Sequence, residues 1–137
     1  MTRDPSHATP LPPARPLSPH LQIWKPTLSM TLSIVHRITG AALYLGTIFL
    51  VWWLVAAASG PENFAVVRAV FDSVLGQLVL FAFTWALVHH TLGGIRHLVW
   101  DTGHGLDLDS VRASGLVVVG ASAAITVLIW LAAIIVR

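Results

Sequence analysis

Cysteine is absent from this 137-residue chain, and charge is scarce, with Asp, Glu, Lys and Arg making up 10% of it against about 25% in an ordinary soluble domain. Without thiols there is no disulfide, and no iron–sulfur cluster held by the usual thiolates. The net charge of +2 is small and the basic residues are scattered, which excludes a nucleic-acid surface. Proline is almost missing beyond the start: all but one of the eight fall within residues 1–27. Because Pro has no N–H for a helix or a sheet ladder, this arm is expected to be extended or irregular. It shows neither the regions of a secretory signal nor the Arg- and Ser-rich pattern of a mitochondrial presequence. A bacterial inner membrane is therefore the expected location.

What the chain does have is hydrocarbon. Hydrophobic residues make up 55% of it, and three stretches, 38–60, 73–95 and 113–136, contain no Asp, Glu, Lys or Arg. About 20 apolar residues cross a bilayer as a helix, and a helix satisfies its own backbone groups where there is no water. The pattern predicts an all-α fold, an integral membrane bundle of three transmembrane helices. A proline-rich cytoplasmic arm, 1–27, would precede a three-helix domain, 28–137, with helices at about 28–58, 73–100 and 113–136. Ser59-Gly60-Pro61 stops the first helix, and 62–72 reads as a connection with no more than a helical turn. Gly103 and Gly105 punctuate the next loop. With the N-terminus inside, Arg3, Arg15, Lys25, Arg37, Arg96 and Arg112 lie on the cytoplasmic side and only Arg68 and Arg137 opposite, as the positive-inside rule requires.

Polar residues gather at the cytoplasmic end. On the second span His90, Gly94 and His97 fall on one stripe, at i, i+4 and i+7. A ring nitrogen facing the bundle interior can ligate haem iron, with a glycine letting a flat macrocycle approach; alternatively, these rings bond carbonyls or headgroups at the interface. Intramembrane ionisable groups are costly and usually functional, which favours the ligand reading for His90 and leaves His97 open. His89 points about 100° away, towards another helix. The first span offers Ser29, Ser33 and Arg37 at four-residue spacing, with His36 beside Arg37 and Gly40 one turn on. Ser33 and Arg37 thus share a face, suited to donating to a quinone oxygen that gains charge. Equally, Arg37 snorkels to phosphate, and Ser29 and Thr39 bond back to their own helix. Trp24, Trp52, Trp53 and Trp100 read as interfacial anchors, and Gly46, Gly76 and Gly120 as packing positions.

The stretches Arg15-Pro16-Leu17-Ser18-Pro19-His20-Leu21 and Ser33-Ile34-Val35-His36-Arg37-Ile38-Thr39-Gly40 resemble the opening of the cytochrome b subunits of succinate dehydrogenase. His90-Thr91-Leu92-Gly93-Gly94-Ile95-Arg96-His97-Leu98-Val99-Trp100-Asp101 resembles that family's haem-ligand helix, and Gly103-His104-Gly105-Leu106 continues it. The resemblance implies a subunit that anchors succinate dehydrogenase to the bilayer and passes electrons from succinate oxidation to ubiquinone, not catalytic alone. It implies one haem b shared with a second membrane anchor subunit, with flavoprotein and iron–sulfur subunits on the cytoplasmic face. By the same resemblance His90 is the axial ligand, Ser33, Arg37 and Ile34 belong to the quinone site, His36 and His97 lie near the haem propionates or pocket, and Asp101 joins a proton path. His89 departs from the aromatic often found there. The competing expectations are an anchor of a quinol:fumarate reductase or other dehydrogenase, and a cofactor-free anchor or small transporter.

Overall fold

The computed structural model describes residues 15–136. Residues 1–14 of the expected arm, and Arg3 and Arg137 of the charge count, lie outside the described residues. The described residues form five helices in order: α1 (His20–Ile23), α2 (Leu28–Ala58), α3 (Pro61–Asp72), α4 (Val74–Asp101) and α5 (Leu108–Val136). Three of them, α2, α4 and α5, are long and apolar enough to cross a membrane, and among the described residues there is no strand.

Short polar side chains start the long helices by accepting otherwise unpaired N–H groups. Thr27 accepts from the Met30 amide at 3.4 Å, Ser73 from the Gly76 amide at 3.0 Å, and Asp107 from the Ser110 amide at 2.9 Å. The last of these explains a difference from expectation. α5 begins at Leu108 rather than near residue 113, because its opening residues include the charged Asp109 and Arg112, which lie outside any charge-free run. The arm likewise holds a short helix, α1, where only irregular chain was expected.

The segment expected to be a mere connection is the twelve-residue helix α3. Gly60, at φ 110°, makes the turn out of α2, and Pro61 then occupies the first turn of α3, where its missing N–H costs nothing. Phe64, Val67 and Phe71, at i, i+3 and i+7, form its apolar face. Phe64 lies 6.0 Å from Trp53 and Phe71 6.0 Å from Trp52, between ring centroids, while Val67 is buried. Glu62, Arg68 and Asp72 stay exposed. These Trp rings therefore pack on α3 near the end of α2.

α4 runs antiparallel to both neighbours. On the α2 side His36 faces His90, and Gly46 faces Phe83, whose ring a Cβ at Gly46 would strike. On the α5 side Trp130 donates to Thr84 at 3.2 Å and Arg96 to Ser114 at 2.9 Å. Gly76 lies against the backbone of Val70 and Phe71, whereas a Cβ at Gly120 would meet open space. Among the described hydrophobic residues only Leu32, Ala56, Val67, Ala86 and Val118 are buried, as are 11%, 17% and 17% of the apolar stretches of the three spans. In water such a surface would be untenable; in lipid, helices associate through small residues and a few polar contacts instead. The chain is a multi-pass membrane protein.

Candidate functional site

The polar residues cluster where the first half of α2 crosses the last half of α4. The His36 and His90 rings stack with centroids 3.9 Å apart and planes within 4° of parallel. Glycines permit this. A Cβ on Gly40 would stand 2.9 Å from His90 Cε1, and one on Gly93 only 2.6 Å from His36 Nδ1, so each ring lies over a bare stretch of the opposite helix.

Hydrogen bonding settles the direction of the His90 ring. Thr39 Oγ1 donates to the His36 carbonyl at 2.9 Å, and His90 Nδ1 sits 3.0 Å from that carbonyl and 3.1 Å from Thr39 Oγ1. A bare Nδ1 lone pair would face a carbonyl lone pair at that distance. A proton on Nδ1 is instead donated to both oxygens, which leaves the lone pair on Nε2. Among the described residues Nε2 makes no hydrogen bond. His36 Nδ1 is buried and lacks a hydrogen-bond partner among the described residues.

His97 lies 5.2 Å from His36 and 5.2 Å from Trp100. A cavity of about 170 Å³ is lined by Ser29, Ser33, His36, Arg96 and His97 among others. Arg96 closes it towards α5: its guanidinium donates to the Val111 carbonyl at 2.8 Å and to Ser114 at 2.9 Å, and lies 4.0 Å from the Trp100 ring centroid. Trp100 in turn donates to the Gly105 carbonyl at 3.0 Å. The cation and the indole fasten the end of α4 to the start of α5, so Trp100 is tied into the site as well as lying near a helix end.

His89 turns the other way. It is 3% exposed, its Nδ1 is 3.3 Å from the Ser122 hydroxyl on α5, and its ring stacks on Trp85 at 5.0 Å. Of two consecutive histidines, His89 thus bonds across the α4–α5 contact while also lining this cavity, and His90 faces α2.

Of the residues singled out from sequence, Ser29, Ser33, His36, His89 and His97 line one cavity, and His90, which is not among its lining residues, packs against its His36 wall. Arg37 and Ile34 are exposed and do not line it, and Arg37 makes no hydrogen bond or ion pair among the described residues. Asp101, the last residue of α4, is exposed. Gly94, the glycine expected to let a flat macrocycle approach, faces open space within the chain, and its neighbour Gly93 lies against His36. From the sequence alone, Arg96 has no role beyond its charge and Thr39 none beyond back-bonding. The doubled glycine, and a Thr at i+3 from His36, were the available signals.

A family model described as succinate dehydrogenase/fumarate reductase transmembrane subunit matches residues 12–129. The succinate dehydrogenase cytochrome b556 subunit of Paracoccus denitrificans is 43% identical over 83% of this chain and 88% of its own length. That of Rickettsia typhi is 41% identical over 85% and 90%.

Proposed function

Because the chain belongs to the succinate dehydrogenase/fumarate reductase transmembrane-subunit family, we propose that it is the haem b-binding anchor of a succinate dehydrogenase and builds part of the site where ubiquinone is reduced. The observation that carries this is the His90 ring. Its Nδ1 is held by a backbone carbonyl and a hydroxyl, and its Nε2 is left free, the arrangement expected of a metal-ligating histidine, whose second nitrogen is almost always fixed by an outer partner. The residues fit a haem: one free imidazole nitrogen suffices for a metal that brings its equatorial ligands with it. When bound, haem b supplies a one-electron centre beside the quinone.

The remaining roles follow from position. His90 would offer Nε2 to the iron of a haem b shared with the second anchor subunit. His36, with an unpartnered buried nitrogen, and His97 beside it are the donors nearest a haem's propionates. Ser33 lines the cavity with a hydroxyl, and Arg37, one turn on, is free of internal partners. Both suit a quinone oxygen that becomes negative on reduction, with Ile34 as an apolar wall and Asp101 at the proton-supplying end. At about 170 Å³ the cavity falls short of the roughly 300–1,000 Å³ of ordinary ligand sites, so the second anchor and the iron–sulfur subunit complete it. The N-terminus is cytoplasmic, in a bacterial inner membrane: Arg15, Lys25, Arg37, Arg96 and Arg112 gather at the His36 end and Arg68 at the other. Succinate is oxidised in the flavoprotein, and electrons reach this site through the iron–sulfur clusters.

The test is Ser33→Ala with Arg37→Leu in the purified assembly. Quinone reduction should fall by roughly 10² to 10³, the usual effect of removing a donor to a developing oxyanion, while succinate oxidation by a soluble dye continues. Arg37→Lys should rescue partly, keeping charge without the planar fork. An assembled double mutant that reduces quinone at the parental rate would remove these two residues from the site.

A further inference from the structure

We infer that Thr39 is a positioning residue for the haem iron, acting through His90. The inference rests on the reading of His90 as the iron's ligand, and concerns what keeps that ring in the productive tautomer and plane.

Thr39 is 3% exposed, the most enclosed residue of α2, although a hydroxyl in a lipid-facing span has no need of so closed a place. Its Oγ1 takes part in two contacts at once, donating to the His36 carbonyl at 2.9 Å and receiving His90 Nδ1 at 3.1 Å. The same carbonyl lies 3.0 Å from Nδ1. Three atoms on α2 and α4 therefore close a triangle around one imidazole proton. Back-bonding fixes where the hydroxyl proton points, and the fixed hydroxyl presents its lone pairs to the ring. A Val of the same shape would fill the space and leave Nδ1 with the carbonyl alone, so the proton would have one acceptor where it now has two.

Two acceptors on Nδ1–H make the imidazole a stronger donor through Nε2 and hold its plane against rotation. A stronger ligand favours ferric over ferrous iron. Thr39→Val should lower that preference by about tenfold, at the low end of the roughly 10–100-fold effects of outer partners, which corresponds to an upward shift of about 59 mV for a one-electron couple. Thr39→Ser keeps the hydroxyl and should stay near the parental value.

The experiment is a redox titration of haem b in the complete purified complex, with low-temperature electron paramagnetic resonance of the ferric form, for Thr39→Val, Thr39→Ala and Thr39→Ser. The expected result is a raised potential and an altered ferric signal in the Val and Ala variants, with Ser restoring both. Ala removes the hydroxyl without adding bulk and is read in place of Val should Val fail to assemble. Parental potentials and signals in the hydroxyl-free variants, at full haem occupancy, overturn the inference. So does a shift that Ser shares with Val and Ala. Retention of a normal b-type spectrum by His90→Ala would instead overturn the ligand reading beneath it, whatever the Thr39 variants show.

Discussion

Adding one methyl group at Gly93 should unsettle the paired imidazoles, and adding one at Gly94 should not. The new Cβ at Gly93 would stand 2.6 Å from His36 Nδ1, so the ring must retreat by about 0.8 Å to reach an ordinary 3.4 Å contact. The ring is already stacked on His90, and His90 Cε1 in turn lies only 2.9 Å from where a Cβ on Gly40 would stand. Overpacking of this kind costs about 1–3 kcal/mol. Against it stands a gain of about 0.8–1 kcal/mol, because Ala is the better helix former. Gly94→Ala receives the gain without the cost, since nothing within the chain lies within 4 Å of its new methyl. The helix term cancels between the two variants, leaving a difference of about 1–3 kcal/mol with Gly93→Ala the less stable. Reversible SDS titration of the full chain in mixed micelles, followed by circular dichroism, measures that difference. Equal midpoints and slopes for the two variants would refute the crowding argument, and with it the claim that the two imidazoles stay stacked in the folded chain.

Ser122→Ala should leave the b-type spectrum intact while lowering stability by about 0.6 kcal/mol, and no more than about 1.7, the range for interhelical hydrogen bonds in membranes; loss of the spectrum instead would place His89, not His90, at the iron. The Asp107 carboxyl titrates below the usual carboxylate range, because Ser110 bonds it first through its side chain and then through its backbone N–H. A lowered folded pKa stabilises above the unfolded value, near 3.9, and that contribution disappears as the pH falls through the folded value. Parent and Asp107→Asn should therefore differ most in melting temperature near neutral pH and converge below pH 4, and a gap that widens in acid would contradict the assignment.

The three spans were legible because a charge-free run long enough to cross a bilayer rarely occurs in a chain that folds in water. α3 was not, since twelve residues of mixed character become a helix face only when Trp52 and Trp53 are there to receive Phe64 and Phe71. The outward turn of His89 could be read from 100° per residue alone, but its partner Ser122 could not. Gly94 was singled out because a stripe along one helix places it beneath His90. A separate contact, that of His36 with Gly93, comes from the opposite helix and cannot be read from one helix alone. Thr39 shows the same limit: its bond back to His36 is local and was open to inspection, whereas its contact with His90 depends on the antiparallel register of α2 and α4, which periodicity does not specify.

That register also has a consequence for how the protein is made. His36 and the ring that rests on it are separated by 54 positions in the chain, and at about 5–20 residues per second a ribosome needs roughly 3–11 s to travel from one to the other. Throughout that interval α2 is at the membrane with its histidine uncovered, and the hydroxyl of Thr39 has only its own helix to bond. The site therefore has no precursor on the first span. It comes into being when the second span returns across the bilayer, so an insertion intermediate arrested after α3 would contain every α2 residue of the site and none of its geometry.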